Sequence, residues 1–172
     1  MGDEELPPPF GGLSPDFVDP QSGVAVWLLD PPGMLTRVLR HDAIDLPVAR
    51  FLTGAAWQQL ETVGRAHGAT RYTIVHDWSN MRSYAANARN LLTTWCLEHR
   101  AELERAIVIV SPVHPLVSAG VKIAQSLLAV VGLRLEVAGS LAEVVAREHL
   151  TPLARCVPAS AVPPESTRRA HH

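Results

Sequence analysis

Lysine is nearly missing from this chain. Only Lys122 represents it among fifteen basic residues, and no stretch gathers lysine and arginine into a run. Seventeen acidic residues bring the formal net charge to −2, so the sequence carries no electrostatic footprint for DNA or RNA. Cysteine is just as scarce. Cys96 lies in a helical stretch and Cys156 in a proline-rich tail, which gives neither a disulfide framework nor the spacing of a metal site. The six histidines ahead of the terminal pair, His41, His67, His76, His99, His114 and His149, form no i, i+4 pair, so they read as surface or capping side chains and no metal is expected. A glycine-rich phosphate loop is also missing: Gly11-Gly12 sits near the start and Gly120 inside a helical stretch. No nucleotide or other cofactor is expected.

Two further absences bear on location. The opening MGDEELPPPFGG has no basic segment followed by an apolar one, so it does not read as a signal peptide. The longest apolar stretch, LVSAGVKIAQSLLAVVG at 116–132, is shorter than the roughly 20 residues of a membrane span and contains Lys122 and Gln125. The expectation is a cytoplasmic chain without a membrane span, in which this stretch is a buried or interface helix. Val117, Val121, Leu128 and Val131 are its candidate homodimer surface.

What is present suits one globular domain: 172 residues, 47% of them apolar and 19% charged, enough for a single core. Residues 1–20 hold five acidic side chains, five prolines and no cation, the composition of a disordered leader. A proline-rich tail is expected over 151–172, leaving 21–150 as the domain. Within it GVAVWLLD (23–30) and MLTRVLRH (34–41) flank a PPG break and read as a hairpin. Asp45-Leu-Pro opens a helix with a capping carboxylate and an early proline, and Phe51, Ala55, Leu60 and Val63 are its expected core stripe. TRYTIVHD (70–77) is a strand, and residues 82–103 form an amphipathic helix with Tyr84, Ala88, Leu91, Leu92, Trp95 and His99 on one face. RAIVIVS (105–111) lacks a polar break, as a strand covered on both faces does. A helix after Pro115, a strand at RLEVAG (134–139) and a helix capped by Ser140 complete the pattern. The order ββαβαβαβα predicts an α/β fold with a mixed sheet of about five strands and about four helices.

This order, with the Asp77-Trp78-Ser79-Asn80-Met81 turn leading into an amphipathic helix, resembles the SpoIIAA-like, or STAS-like, domain family of small bacterial proteins over residues 22–149. The resemblance implies a non-catalytic regulatory or signalling protein that binds a protein partner, a kinase-like or anti-sigma-like one, and is switched by phosphorylation of a serine. In the family that serine lies in an Asp-Ser-Ser-Gly stretch; here the corresponding residues are Ala85-Ala86-Asn87-Ala88. The serine and its aspartate are absent, and Ser83 is the alternative phosphosite. Some SpoIIAA-like domains also look like carriers of an apolar pocket, which makes small-molecule or lipid binding the second functional expectation.

In a parallel sheet, ligands bind beyond the carboxyl ends of the strands. The turn from Asp77 to Tyr84 and the turn Ser111-Pro-Val-His-Pro115 should therefore share one rim. Its candidate binding residues are Asp77, Trp78, Ser79, Arg82, Ser83, Tyr84, Ser111 and His114. A Ser83 (or Ser79), His114, Asp77 hydrolase arrangement can be drawn from them, but no G-x-S-x-G elbow accompanies it and the aspartate precedes the serine. The competing explanation is that Asp77, Ser79 or Asn80 caps a helix starting near Met81. Trp78 reads either as packing or as an exposed anchor. Arg82 and Arg89 read either as an anion clamp on one helix or as a solvated face.

Overall fold

The computed structural model describes residues 9–30, 32–40 and 42–153; His41, Cys156 and the tail from 154 onward lie outside them. In chain order the elements are β1 (Phe17–Val18), β2 (Val24–Asp30), β3 (Gly33–Val38) and β4 (Ala43–Ile44), then a helical rod of α1 (Leu46–Phe51), a π turn (Leu52–Ala56) and α2 (Trp57–Ala66). There follow β5 (Tyr72–Trp78), β6 (Ser83–Tyr84), α3 (Ala86–Glu98), β7 (Leu103–Val110), α4 (Pro115–Val130), β8 (Leu135–Ala138), α5 (Leu141–Glu148) and β9 (Thr151–Pro152).

The fold is α/β with a mixed sheet. Its neighbours run β1-β2-β3-β5-β7-β8, with β9 beside β2. β2 pairs antiparallel with β3, while β3, β5, β7 and β8 are mutually parallel through helical crossovers. The sheet has seven strands and not about five, because two short flanking segments pair with β2. One of them belongs to the expected leader: Phe17–Val18 pairs with Ala25–Val26, and Asp16 N–H donates to Val26 O at 2.8 Å. The leader's acidic side chains are part of the reason, since the Asp16 carboxylate accepts from Leu28 N–H and that of Asp19 from Ser22 N–H, both at 2.7 Å.

Both faces of the sheet are covered, so β3 is buried along its whole length. The α1–α2 rod, α3 and α4 pack on one face against Met34, Ile74 and Val108. On the other, Val144 of α5 and Leu150 pack against Leu35, Val75 and Ile107. Gly33 is required by the β3–β5 pairing: a Cβ there would lie 2.3 Å from the carbonyl oxygen of Thr73, a backbone atom that cannot move aside.

Three expectations need correction. The core stripe of the first helical rod is Leu52, Ala56, Trp57, Leu60 and Gly64, and Ala55 is exposed. A π turn holds more residues than an α turn, so it rotates the apolar face relative to uniform 3.6-residue spacing. The next helix starts at Ala86, not near Met81 or Arg82. Its upstream N–H groups go elsewhere: Arg82 and Ser83 donate to Asp42 O, and Ala85 to Ile44 O, which builds the small parallel β4–β6 pair. Finally, Val117, Val121 and Leu128 are at most 1% exposed. They are α4's core face and not a dimer surface.

Candidate functional site

Strand β5 delivers its side chains alternately to the two faces of the sheet. Ile74 and Trp78 join the core beneath the α1–α2 rod, α3 and α4, whereas Val75 joins the core beneath α5. By the same alternation His76 belongs with Trp78, and Asp77 points to the opposite side. One residue of register therefore divides the expected rim in two.

Asp77 is 1% exposed and is bound by Arg37, its register partner on β3. Arg37 Nε and Nη2 donate to Asp77 Oδ2 at 2.8 and 2.6 Å. The other carboxylate oxygen, Oδ1, accepts from Ser79 Oγ at 2.7 Å and from Ser79 N–H at 3.2 Å. The aspartate thus closes the turn at the end of β5, and the helix it was expected to cap begins further on. Ser83 and Arg82 are exposed, and Arg82 reaches Asp42 at 3.8 Å. Because Arg82 lies ahead of α3, it shares no helix with Arg89 and the two form no clamp. Ser111 Oγ accepts weakly from Val113 N–H at 3.4 Å, and His114 precedes α4 without capping it. His114 meets Ser111 and Ser118 through backbone hydrogen bonds, but among the described residues no hydrogen bond links its imidazole to a serine hydroxyl or to Asp77, and no group of three or more His, Cys, Asp or Glu is arranged to hold a metal.

Trp78 and Tyr84 do come together, on the wall of a cavity. Trp78 is 3% exposed and stacks on His76 with ring centroids 5.2 Å apart and planes 14° apart. Tyr84 meets Trp78 edge-on at 5.2 Å and lies against α4 at Gly120, where a Cβ would stand 2.9 Å from the Tyr84 ring. The sheet supplies the floor through Met34, Ile74 and Val108. Leu52 and Thr53 of the π turn, Thr93 and Cys96 of α3, and Val121 and Ala124 of α4 supply the walls. The space among these side chains is about 580 Å³ including its open mouth, and about 40 Å³ of it admits the centre of a water-sized sphere. That exceeds the ~10–15 Å³ which one water requires.

Burial sets the charge state of this lining. Desolvation holds the His76 imidazole down at about 4, pushes the Cys96 thiol up to about 12 and raises the Tyr84 phenol above its ordinary value. For Tyr84 the nearby Cys96 adds to the effect and Arg89 opposes it. Near neutral pH all three are uncharged. No Asp, Glu, Lys or Arg lines the cavity.

His76, Thr36 and Cys96 are the site residues that the sequence did not single out. His76 is not the surface histidine expected from its position: it is half-buried, stacks on Trp78 and lines the cavity. A signal did exist in the string Ile74-Val75-His76-Asp77-Trp78, where an imidazole occupies an inward position between two apolar ones. Among family models, curated proteins and solved structures, none matches this chain. Among the described residues no helix is long and apolar enough to cross a membrane.

Proposed function

We propose that the protein is a STAS-like binding module, without catalysis of its own, that holds a small and mainly apolar molecule in the cavity between the sheet and α3 and α4. The observation that carries this reading is the cavity itself: lined mainly by apolar side chains, uncharged, and bordered by a π turn, a helix irregularity frequent at functional sites. The STAS-like part rests on the element order and on five successive longer strands, β2, β3, β5, β7 and β8, that lie side by side in chain order. The commitment of both Asp77 oxygens to Arg37 and Ser79 supports a binding role over hydrolysis, since it leaves His114 without an orienting carboxylate. Native mass spectrometry of the gently purified chain is expected to show a bound apolar molecule, and uncharged apolar compounds are expected to raise its melting temperature. Ala124→Leu, which fills the cavity from α4, should weaken such binding about tenfold or more with little loss of stability. A ligand-free spectrum together with no thermal shift from any such compound would overturn the reading.

A second reading, docking of a protein, is favoured by the outer face of α4, where Leu116, Ile123, Leu127 and Val130 are 51–86% exposed along one stripe. The occupant that fits is a second copy of this chain. The stripe is apolar and so complements itself, the net charge of −2 resists self-association little, and β8 beside it is the last strand of the sheet among the described residues. Sedimentation at 100 μM or so should show a dimer that Leu127→Glu converts to monomer. A wild-type chain that stays monomeric would remove the second copy and leave the face to a different protein, such as the regulatory partner that the family resemblance implies.

A further inference from the structure

His76 lines the cavity with one ring nitrogen open to it, and the protein fixes what that atom offers. Thr36 Oγ1 and His76 Nδ1 lie 2.7 Å apart, and Thr36 is 1% exposed, its hydroxyl making no other hydrogen bond among the described residues. If Nδ1 carried the ring proton, it would donate to Thr36 and leave the threonine hydroxyl hydrogen buried without an acceptor, a costly arrangement. If the hydroxyl donates to Nδ1 instead, every buried hydrogen of the pair is used. The ring proton then sits on Nε2. Among the described residues Nε2 has no hydrogen-bond partner, and it is absent from their fully enclosed unpaired atoms, which are Trp78 Nε1, Asn80 Oδ1 and Glu102 Oε2. It therefore keeps access to the cavity. The imidazole thus offers the cavity an uncharged donor, beside the hydroxyls of Tyr84, Thr53 and Thr93.

We propose that the ligand is an uncharged, mainly apolar molecule with one hydrogen-bond acceptor, a carbonyl or ether oxygen, that receives the His76 Nε2–H. This inference rests on the reading of the cavity as a ligand site and adds the chemistry of what it takes. Cations and carboxylates are rejected because no lining group compensates their lost hydration. A purely hydrocarbon ligand leaves the imidazole N–H unpaired.

The test uses the full chain and three ring compounds of similar shape: cyclohexanone, methylenecyclohexane and cyclohexylammonium. Binding is followed by amide chemical shifts of residues lining the cavity. Cyclohexanone is expected to bind about three- to tenfold more tightly than methylenecyclohexane, the span of one net hydrogen bond, with no binding of cyclohexylammonium. In His76→Phe that preference should vanish while methylenecyclohexane still binds. Because this variant alters a packed position, a measurement on the wild type stands beside it: long-range nitrogen–proton spectra should show His76 protonated at Nε2. Equal affinity for the ketone and the hydrocarbon, or protonation at Nδ1, would overturn the acceptor inference and leave the cavity a ligand site. Absence of binding by both neutral compounds would overturn the cavity reading as well.

Discussion

Asp77→Ala is expected to lower stability by about 3–5 kcal/mol at neutral pH, the cost of removing one partner of a buried ion pair. Arg37 is 6% exposed and Asp77 1%, so the guanidinium left behind gains little from solvent. The substitution also removes the acceptor of Ser79 N–H and Oγ, and with it the turn that leads from β5 into the cavity wall. Replacing both partners by apolar residues of similar size, Arg37→Met with Asp77→Leu, should recover most of the loss, because neither charge then remains to be desolvated. Urea unfolding of the two single variants and the double variant measures the effect. A loss below about 1 kcal/mol in Asp77→Ala would show that the pair is solvated.

The second large effect is a dependence on pH centred on His76. In the unfolded chain the imidazole takes up a proton near its ordinary value of 6.5, and in the fold desolvation holds it to about 4. Between these values the unfolded state binds a proton that the folded state refuses. The stability contribution is therefore complete above about pH 6.5 and shrinks as the pH falls toward 4, on the order of 3 kcal/mol in total. The groups that share the cavity, Tyr84 and Cys96, are raised and stay protonated throughout this window, so they do not mask it. Carboxylates elsewhere also protonate in acid, which is why the informative quantity is the difference between wild type and His76→Gln from pH 7 to pH 4. The variant should lose the part of the slope that His76 causes. Parallel curves would mean that the imidazole is hydrated in the fold.

His76 and Asp77 also show where the sequence was legible. Their strand was evident from its apolar alternation, and Asp45 was evident as a helix cap because the signal is local: its Oδ1 accepts from Val48 N–H at 3.1 Å, three residues away. The start of α3 was not, since the N–H groups of residues 82, 83 and 85 are taken by carbonyls of Asp42 and Ile44, about forty positions upstream. Nothing near Met81 encodes that competition. The rim residues form one set in the sequence because both turns follow the carboxyl ends of parallel strands. The structure divides them into the buried Asp77–Ser79 turn, the exposed Arg82 and Ser83, the Trp78–Tyr84 wall, and the Ser111–His114 turn ahead of α4.

By itself the sequence determined that alternating strands and helices would form an α/β layer structure, that Ala106 to Val110 would be a strand covered on both faces, and that 116–132 would be helical but too short to span a membrane. These follow from period, length and caps, which act over a few residues. Only the tertiary structure decided that α3 and α4 would enclose an imidazole and an indole around a cavity, and that one face of α4 would be core while the other stayed bare. A side chain's surroundings depend on elements that arrive from distant parts of the chain, and periodicity, being local, carries no record of which element will cover a given face.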